Sequence, residues 1–380
     1  MINVLYINYA YKNFDGATYS LMDLIQSVKN KVHPIVLIRK KGCVQDFFIS
    51  NGIECIICDF EENIYSKPKS KIALIKLIIK YVPWLIRFFI KNKLCVYRVT
   101  KILKDRNVKI VHTNNSVLTI GCDMSKKLDA KHVWHFRGFM DLDFGWKTLL
   151  GRKNLIKKIR NTDAVIGITK TVLEHFIPID SKNAYVLYNA VRSMNDVCLS
   201  FPKEKYVLFC AAQLSSTKGI EVAIKAFALS KLSMMGYRLR VVGSYNNSFK
   251  QTLDQLCYEY GINKCVDFVG PTKNVKSHME KATAFLMCSQ NEGMGRVTVE
   301  AMFYGCLVIG RNSGGTKEII EDGNTGLLFN NISECAILMR KAVLNDYSHI
   351  INNAQRYACK NFTKEKYGEC LMKIYNSIIS

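Results

Sequence analysis

Ten short apolar runs rich in β-branched residues, each set off by stretches with helical spacing, constrain this chain more than any single motif does. In the first half they are Val4–Ile7, Pro34–Ile38, Val108–His112, Ala164–Ile168 and Tyr185–Leu187. In the second half they are Tyr206–Ala211, Leu239–Val242, Val266–Val269, Ala284–Cys288 and Leu307–Ile309. Strands alternating with helices in this way build parallel sheets covered on both faces. Two such series predict an α/β protein of two doubly wound, Rossmann-like domains facing across a cleft. The 380 residues also exceed what a single hydrophobic core usually grows to. The apolar pattern breaks between Val191 and Lys205, so the predicted domains are 1–195 and 200–362. A final helix is predicted over 363–380, where apolar positions recur three and four apart, and it is expected to pack back on the first domain.

Composition removes several classes. A hydrophobic fraction of 49% with 22% charge and only six prolines is incompatible with a disordered or collagen-like chain. The 14 cysteines are scattered singly, and Cys210, Cys288 and Cys306 sit inside apolar runs, as small buried hydrophobes in a reducing, cytosolic compartment do. Cys55 and Cys58 fall in a strand-like run where positions three apart face opposite ways, and no second ligand pair accompanies them, so they read as core rather than metal ligands. The first residues lack a basic region and a cleavage site, and read as the first buried strand. The most apolar stretch, 71–93, is interrupted by Lys76, Lys80 and Arg87 and falls short of the ~20 uncharged residues of a spanning helix. The net charge of +23, concentrated in residues 1–190, favours an anionic partner: nucleic acid, an acidic lipid headgroup or a phosphorylated substrate. With no helix-turn-helix, RNP or zinc-finger pattern, nucleic acid is set aside.

In open parallel sheets, ligands sit beyond the carboxyl ends of strands, and the candidate motifs follow strands. After Val4–Ile7 comes Asp15-Gly16-Ala17, where a glycine lets backbone approach a ligand and the next helix offers free N–H groups to a phosphate. His135 and Arg137, at what reads as a strand end, pair a hydrogen-bonding ring with a guanidinium for phosphate or carboxylate oxygens. Lys218-Gly219 opens a helix after Tyr206–Ala211, without the glycine spacing of a P-loop. The most informative segment contains Glu292, Gly293, Met294, Gly295 and Arg296, with Glu300 about two helical turns beyond Glu292, so that two carboxylates are expected to face one cleft. A carboxylate can accept two vicinal hydroxyls, as acidic residues do with ribose in dinucleotide folds.

Glu292 and Glu300, separated by seven residues within Asn-Glu-Gly-Met-Gly-Arg-Val-Thr-Val-Glu-Ala-Met, resemble the signature of the family 4 retaining glycosyltransferases of GT-B architecture, of the bacterial surface-polysaccharide type. Asp15-Gly16-Ala17, Val111-His112-Thr113-Asn114, His135-Phe136-Arg137, Tyr188-Asn189-Ala190, Lys218-Gly219, Val242-Gly243, Phe268-Val269-Gly270 and Gly323-Asn324-Thr325-Gly326-Leu327-Leu328 extend the resemblance over nearly the whole chain. The resemblance implies that Glu300 binds the nucleotide ribose and that Glu292 with the backbone of Gly293, Met294 and Gly295 holds the donor sugar. It implies that Lys218 pairs with the diphosphate under Gly16 and Ala17, that His135 lies beside the transferred sugar, and that Gly270 and Thr272 lie near the base. The implied reaction moves a sugar from a nucleotide-diphosphate donor to a hydroxyl with retention, with no cofactor and no metal. Where the family carries Gly-Arg, this chain has Ala212-Gln213, losing a charge that Arg296 or Arg137 can partly offset. A nucleotide-sugar epimerase and a catalytically decayed membrane-associated scaffold are the alternatives.

Helical spacing over 71–93 brings Lys76, Lys80, Arg87 and Lys91 to one side, flanked by Trp84 and other apolar residues, with Pro83 expected to kink or split the helix. A basic amphipathic element of this kind suits an anionic membrane surface. The expectation is a protein at the inner face of the cell membrane, acting on a saccharide or lipid-linked saccharide acceptor.

Overall fold

The computed structural model describes residues 1–68, 70–196 and 202–379, apart from the side chains of Phe144 and Asp196. The chain forms two compact units, Met1–Ala190 with Tyr367–Ser380, and Val191–Lys366. The predicted seam falls partly on residues 197–201, which lie outside the described residues.

The first unit is built on seven parallel strands in the order Glu54–Ile57, Val32–Ile38, Ile2–Asn8, Val108–Thr113, Lys131–Phe136, Ala164–Gly167 and Ala184–Val186. Val4, Leu5, Tyr6 and Ile7 are all buried, because helices cover both faces and the strand needs no polar side. The sheet grows outward in both directions from Ile2–Asn8, so the strand order reverses between that strand and Val108–Thr113. The crevice at such a reversal is where this type of sheet receives ligands.

The helix Lys364–Ile379 belongs to this core from Tyr367 onward. Tyr367, Leu371, Met372, Ile374 and Tyr375 pack with Val4, Tyr6, Ile110 and Val133. The approach is close at Gly368, where an added Cβ would come within 2.3 Å of the Ser27 carbonyl oxygen. A two-stranded antiparallel sheet, Ile64–Ser66 with Trp146–Thr148, is too short to have left a period-2 signal in the sequence.

The long apolar stretch departs from expectation in one respect. Lys71–Ile102 is one helix of 32 residues, capped by Ser70, and Pro83 does not split it. Pro83 is exposed, so the carbonyl it leaves without an N–H partner, that of Ile79, lies in a solvent-facing turn rather than a dry core. The later turns are held by buried Phe88, Cys95 and Val99 and by Asn92, whose Oδ1 accepts from the Glu61 N–H at 2.8 Å. No helix of the described residues is long and apolar enough to cross a membrane.

The second unit has six parallel strands in the order Val266–Gly270, Arg238–Ser244, Glu204–Gln213, Ala282–Met287, Leu307–Arg311 and Leu327–Phe329. Its core runs through Val207, Phe209, Ile224, Phe227, Leu239, Val241, Leu286 and Ile309. Here the order reverses between Glu204–Gln213 and Ala282–Met287. Cys210, Cys288 and Cys306 are buried as expected, and the thirteen described cysteines are all free.

Candidate active site

In the second unit the loops after the two strands at the reversal are locked together. Gly219 follows a single 3-10 turn, Ser216–Lys218, and has φ +75°; a Cβ there would lie 2.3 Å from the Cys288 carbonyl oxygen. Only glycine tolerates both that backbone and that approach. Because Gly219 sits against Cys288, Lys218 is delivered to the loop beyond it, and its Nζ lies 2.9 Å from Oε2 of Glu292. The Ser289 hydroxyl adds a bond to the Thr217 carbonyl at 3.1 Å. A second glycine loop seals the arrangement: Gly315 N–H donates to the Glu292 carbonyl at 2.7 Å, and a Cβ on Gly315 would sit 2.2 Å from the Gly293 carbonyl oxygen.

Gly295, at φ +78°, turns the chain into the helix Arg296–Phe303, which carries Glu300. Glu300 accepts from Arg192 at 3.1 Å, and the Arg192 guanidinium lies 5.6 Å from the centre of the Tyr304 ring. The two carboxylates expected to face one cleft are therefore each tied to a cation of their own, Glu292 to Lys218 and Glu300 to Arg192. Arg192 carried no motif signal, and its role follows only from the fold, which brings the start of this unit against the helix. Its Nε is buried without a partner, as are the hydroxyls of Thr298, Ser313 and Thr316 around the same loops. Such groups are costly to leave unsatisfied and are open to a hydroxyl-rich ligand.

The remaining positions lie further out. Gln213 is exposed at its strand end, paired in register with Ser244. Gly270, at φ +80° with open space where a Cβ would go, ends the strand two over from Glu204–Gln213. The Thr272 hydroxyl accepts from the Asn274 N–H at 3.0 Å.

In the first unit the reversal collects Gly16, Ala17 and Arg137. Asp15 caps the helix Gly16–Ser27 by accepting from the Thr18 N–H at 2.7 Å, and Gly16 has open space around its α-carbon. Asn114, beyond the end of its strand, donates to the Ala17 carbonyl at 3.1 Å and to Oδ1 of Asn8 at 3.2 Å. Its own Oδ1 accepts from Nε of Arg137 at 2.8 Å. Arg137 NH1 also donates to Asn189 and, at 3.0 Å, to the Tyr367 hydroxyl, while its NH2 is buried without a partner. Asn114 and Asn189 lie in segments that the resemblance had singled out, whereas Asn8 and Tyr367 carry no spacing signal.

His135 is the last residue but one of the strand Lys131–Phe136, at a strand end as expected, but it is fully buried rather than open at an edge, because that strand is covered on both faces. Its Nδ1 is 3.2 Å from Nε2 of His112, and its own Nε2 is buried without a partner. Burial, with Arg137 nearby, holds both rings well below the usual histidine range, so both are neutral.

The basic side of the long helix also needs correcting. Arg87 and Lys91 are not free for an anionic surface: Arg87 bonds Glu61 at 2.7 Å, and Lys91 bonds Asp59 at 2.6 Å and Glu61 at 3.1 Å. Arg39 binds the same acidic run, reaching Asp59, Glu61 and Glu62. Asp59 and Glu61, just beyond the strand Glu54–Ile57, meet the helix in a long-range contact that helical spacing cannot reveal. Lys76 and Lys80 remain exposed and Trp84 is half-buried, next to exposed Ile72, Ile75, Ile78, Ile79 and Val82. The helix Arg152–Arg160 adds a cationic depression of about 650 Å³ lined by Arg152, Lys153, Lys157 and Arg160, which the sequence reading passed over.

Three comparisons bear on this arrangement. The chain is 30% identical over 227 residues to the Campylobacter jejuni GalNAc-alpha-(1->4)-GalNAc-alpha-(1->3)-diNAcBac-PP-undecaprenol alpha-1,4-N-acetyl-D-galactosaminyltransferase, covering 56% of this chain and 60% of that one. It is 21% identical over 237 residues to the capsular polysaccharide biosynthesis glycosyltransferase CapH of Staphylococcus aureus, covering 59% and 65%. Each match spans less than two thirds of the relative's length. The fold is that of Anabaena HepE, solved in complex with UDP, at a TM-score of 0.80 and 18% identity over 99% of this chain and 100% of that one. This is the two-unit α/β architecture of the GT-B glycosyltransferases. The segment that holds Lys218, Glu292 and Glu300 falls within residues 195–357, which match the family model of the glycosyl transferases group 1.

Proposed function

We propose that this protein transfers a sugar from a nucleoside-diphosphate donor to a hydroxyl of a saccharide acceptor, with retention of configuration, in the synthesis of a surface polysaccharide. The observation that carries the reading is the contact of Lys218 with Glu292 at the strand-order reversal, in the loop that leads into the helix of Glu300, inside the matched segment. Lys218 and the amino-terminal end of the helix Ile220–Ser230 supply positive potential for the leaving diphosphate. Electrostatic support of that kind, with the reactants held in place, carries the rate without a strong base. Glu300 offers lone pairs to the ribose hydroxyls, and Glu292 with the backbone of Gly293–Gly295 takes the sugar. Such a site needs neither a metal nor an organic cofactor.

A UDP donor is favoured by the nucleotide in the HepE complex. A lipid-linked acceptor is favoured by the undecaprenol-linked saccharide in the name of the Campylobacter relative, and by the exposed apolar turns of Lys71–Ile102 beside Lys76 and Lys80. On this reading the protein works at the inner face of the cell membrane, with nucleic acid no part of its activity.

Thermal unfolding with UDP, GDP and CMP at fixed salt tests the donor site, with Glu300→Ala as control. A ligand at 100 times its dissociation constant stabilises by about 2.7 kcal/mol. Stabilisation by one nucleotide, abolished by Glu300→Ala, followed by formation of an α-linked product from the matching α-linked donor, is the expected outcome. An epimerised donor with no product glycoside, or no stabilisation by any of the three, refutes the reading.

A further inference from the structure

The helix Arg152–Arg160 is attached to the first unit on one side and charged on another. Leu155 and Ile159 are buried and hold it in place. At about 100° per residue, Lys153, Lys157 and Arg160 fall within about 60° of one another and about 150° from that buried pair. All three are exposed, and their side chains have no ion-pair or hydrogen-bond partner among the described residues. Arg152 differs, since its guanidinium donates to the His175 carbonyl at 2.7 Å and lies 3.7 Å from Asp141. The depression over the helix is lined by these four cations, Ile156 and Asn161, with no carboxylate among them. Like charges three and four apart on a helix repel one another, and an anion in the depression relieves that repulsion.

The neighbouring helix decides what kind of anion fits. Strand Ile64–Ser66 leads into Lys71–Ile102, strand Trp146–Thr148 leads into Arg152–Arg160, and the two strands pair. The Tyr81 hydroxyl also donates to the Leu149 carbonyl at 2.6 Å, three residues before the charged helix begins. On the long helix Ile72, Ile75, Ile79, Val82, Ile86 and Phe89 are each more than half exposed. They form an arc about 100° wide and about 25 Å long, about 150° from the side where Phe88, Cys95 and Val99 are buried. That helix carries eight lysines and arginines and no acid, and Arg152–Arg160 carries five and no acid. A second copy of this chain laid on the arc would bring like charges together with nothing to answer them. A soluble polyanion would answer the charge and leave the arc in water. An anionic bilayer satisfies both, taking the apolar arc at its acyl boundary and the cations at its headgroups.

We infer that the depression on Arg152–Arg160 binds the phosphates of anionic lipid headgroups through Lys153, Lys157 and Arg160, while the outward arc of Lys71–Ile102 enters the apolar boundary of the same bilayer. This rests on the proposed placement of the protein at a membrane, for which only the long helix was invoked, and adds a second element that divides the work. The short helix supplies charge, and the long one supplies apolar burial. Both belong to the first unit and neither holds a residue of the donor site.

The test is sedimentation of the full-length protein with vesicles of phosphatidylglycerol and phosphatidylcholine in equal parts. Lys153→Gln, Lys157→Gln and Arg160→Gln together are expected to weaken binding on the order of 100-fold, about fivefold for each cation lost near the surface, and to reduce its dependence on salt. Lys153→Arg with Lys157→Arg is expected to bind as the natural chain does. Ile75→Ser with Ile79→Ser is expected to weaken binding at low and high salt alike, because apolar burial is lost and no charge is. Thermal midpoints should stay unchanged throughout, since every altered side chain is exposed. Lys231→Gln, Lys264→Gln and Lys360→Gln remove the same charge from exposed positions of the second unit and are expected to change binding less than about threefold. Equal loss in that control, or full binding by the Lys153, Lys157 and Arg160 variant, overturns the inference. So does release from the vesicles by inorganic phosphate at constant ionic strength, or a dimer in light scattering that Ile75→Ser with Ile79→Ser dissolves. The transferase reading is decided separately, by UDP stabilisation and product formation, and its failure leaves the vesicle result standing.

Discussion

Lys218 and Glu292 are each other's partners before any ligand arrives, and this produces an asymmetry that Glu292→Gln exposes. Their atoms are 2.9 Å apart, with the lysine side chain 41% exposed and the glutamate 17%. A pair so placed is worth about 0.5–1.5 kcal/mol. A nucleoside diphosphate without its sugar must draw Lys218 away from Glu292 and then sit near an unpaired carboxylate. Removing that charge while keeping the side chain's shape releases Lys218 and lifts the repulsion. UDP should therefore bind Glu292→Gln about three- to tenfold more tightly than it binds the natural chain, since 1.4 kcal/mol is a factor of ten. Lys218→Met should weaken UDP by a similar or larger factor. In the double variant the two effects should be non-additive by about the pair's own worth. Transfer from the sugar nucleotide should move the other way in Glu292→Gln, with kcat falling at least about tenfold, because the carboxylate that orients the sugar is gone. Calorimetric titration with UDP at constant ionic strength reads the first effect, and initial rates read the second. Weaker UDP binding in Glu292→Gln, matching Lys218→Met, would show that Glu292 holds the nucleotide itself and that the pair does not compete with the diphosphate.

Other substitutions probe the frame. Glu62 shares Arg39 with two other acids and has no part in the Arg87 and Lys91 bonds; burial pushes its carboxyl up to about 7 in spite of Arg39, with Glu61 adding to the rise. Between its ordinary value of 4.5 and about 7 the folded chain holds a proton the unfolded chain has lost, so stability falls as pH rises through that window, by at most about 3 kcal/mol. Glu62→Gln should flatten that part of the curve of urea midpoint against pH and be the more stable at pH 8; parallel curves for the two proteins count against it. Gly219→Ala should destabilise by more than about 3 kcal/mol, since positive φ and the Cys288 carbonyl both oppose a Cβ. Gly16→Ala, with open space around the α-carbon at a helix start, should leave the thermal midpoint unchanged or raised. Lys76→Glu with Lys80→Glu should reduce sedimentation with phosphatidylglycerol vesicles without changing UDP affinity, whereas Arg87→Gln and Lys91→Gln should lower the melting temperature, because those two side chains hold the helix to Asp59 and Glu61.

The ten runs that suggested strands all became strands of the two parallel sheets, because a strand buried on both faces needs an unbroken apolar run that few other elements require. The strand Leu327–Phe329 and the pair Ile64–Ser66 with Trp146–Thr148 were missed, since three residues cannot establish a period. Local glycine chemistry was legible for the same reason the strands were: Gly219, Gly295 and Gly315 each answer a backbone demand within a few residues of a carboxylate or a lysine. What the sequence hid was partnership across distance. Nothing near Arg87 announces Glu61, nothing near Glu300 announces Arg192, and 263 positions separate His112 from Tyr375. The strand-end place of His135 was legible but its full burial was not, since the burial of a strand's last residues depends on what covers the sheet.

The partnerships that the sequence hid also bear on the order of events in the proposed reaction. A carboxylate has about four lone-pair sites, so Glu300 can receive two ribose hydroxyls while still holding Arg192, and the nucleoside is accepted without dismantling that pair. Glu292 is in the opposite position, because Lys218 cannot serve it and a diphosphate fully at once. When the donor arrives intact, sugar hydroxyls donate to Glu292 and replace what Lys218 withdraws. After transfer those hydroxyls leave with the acceptor, and the remaining diphosphate faces a carboxylate that has lost its partners. The same lysine that supports the leaving group is then drawn back toward Glu292. In the proposed reaction the pair would favour the sugar nucleotide over the bare nucleotide by the difference between a compensated and an uncompensated carboxylate, and product release would follow from the charge pattern without a separate device.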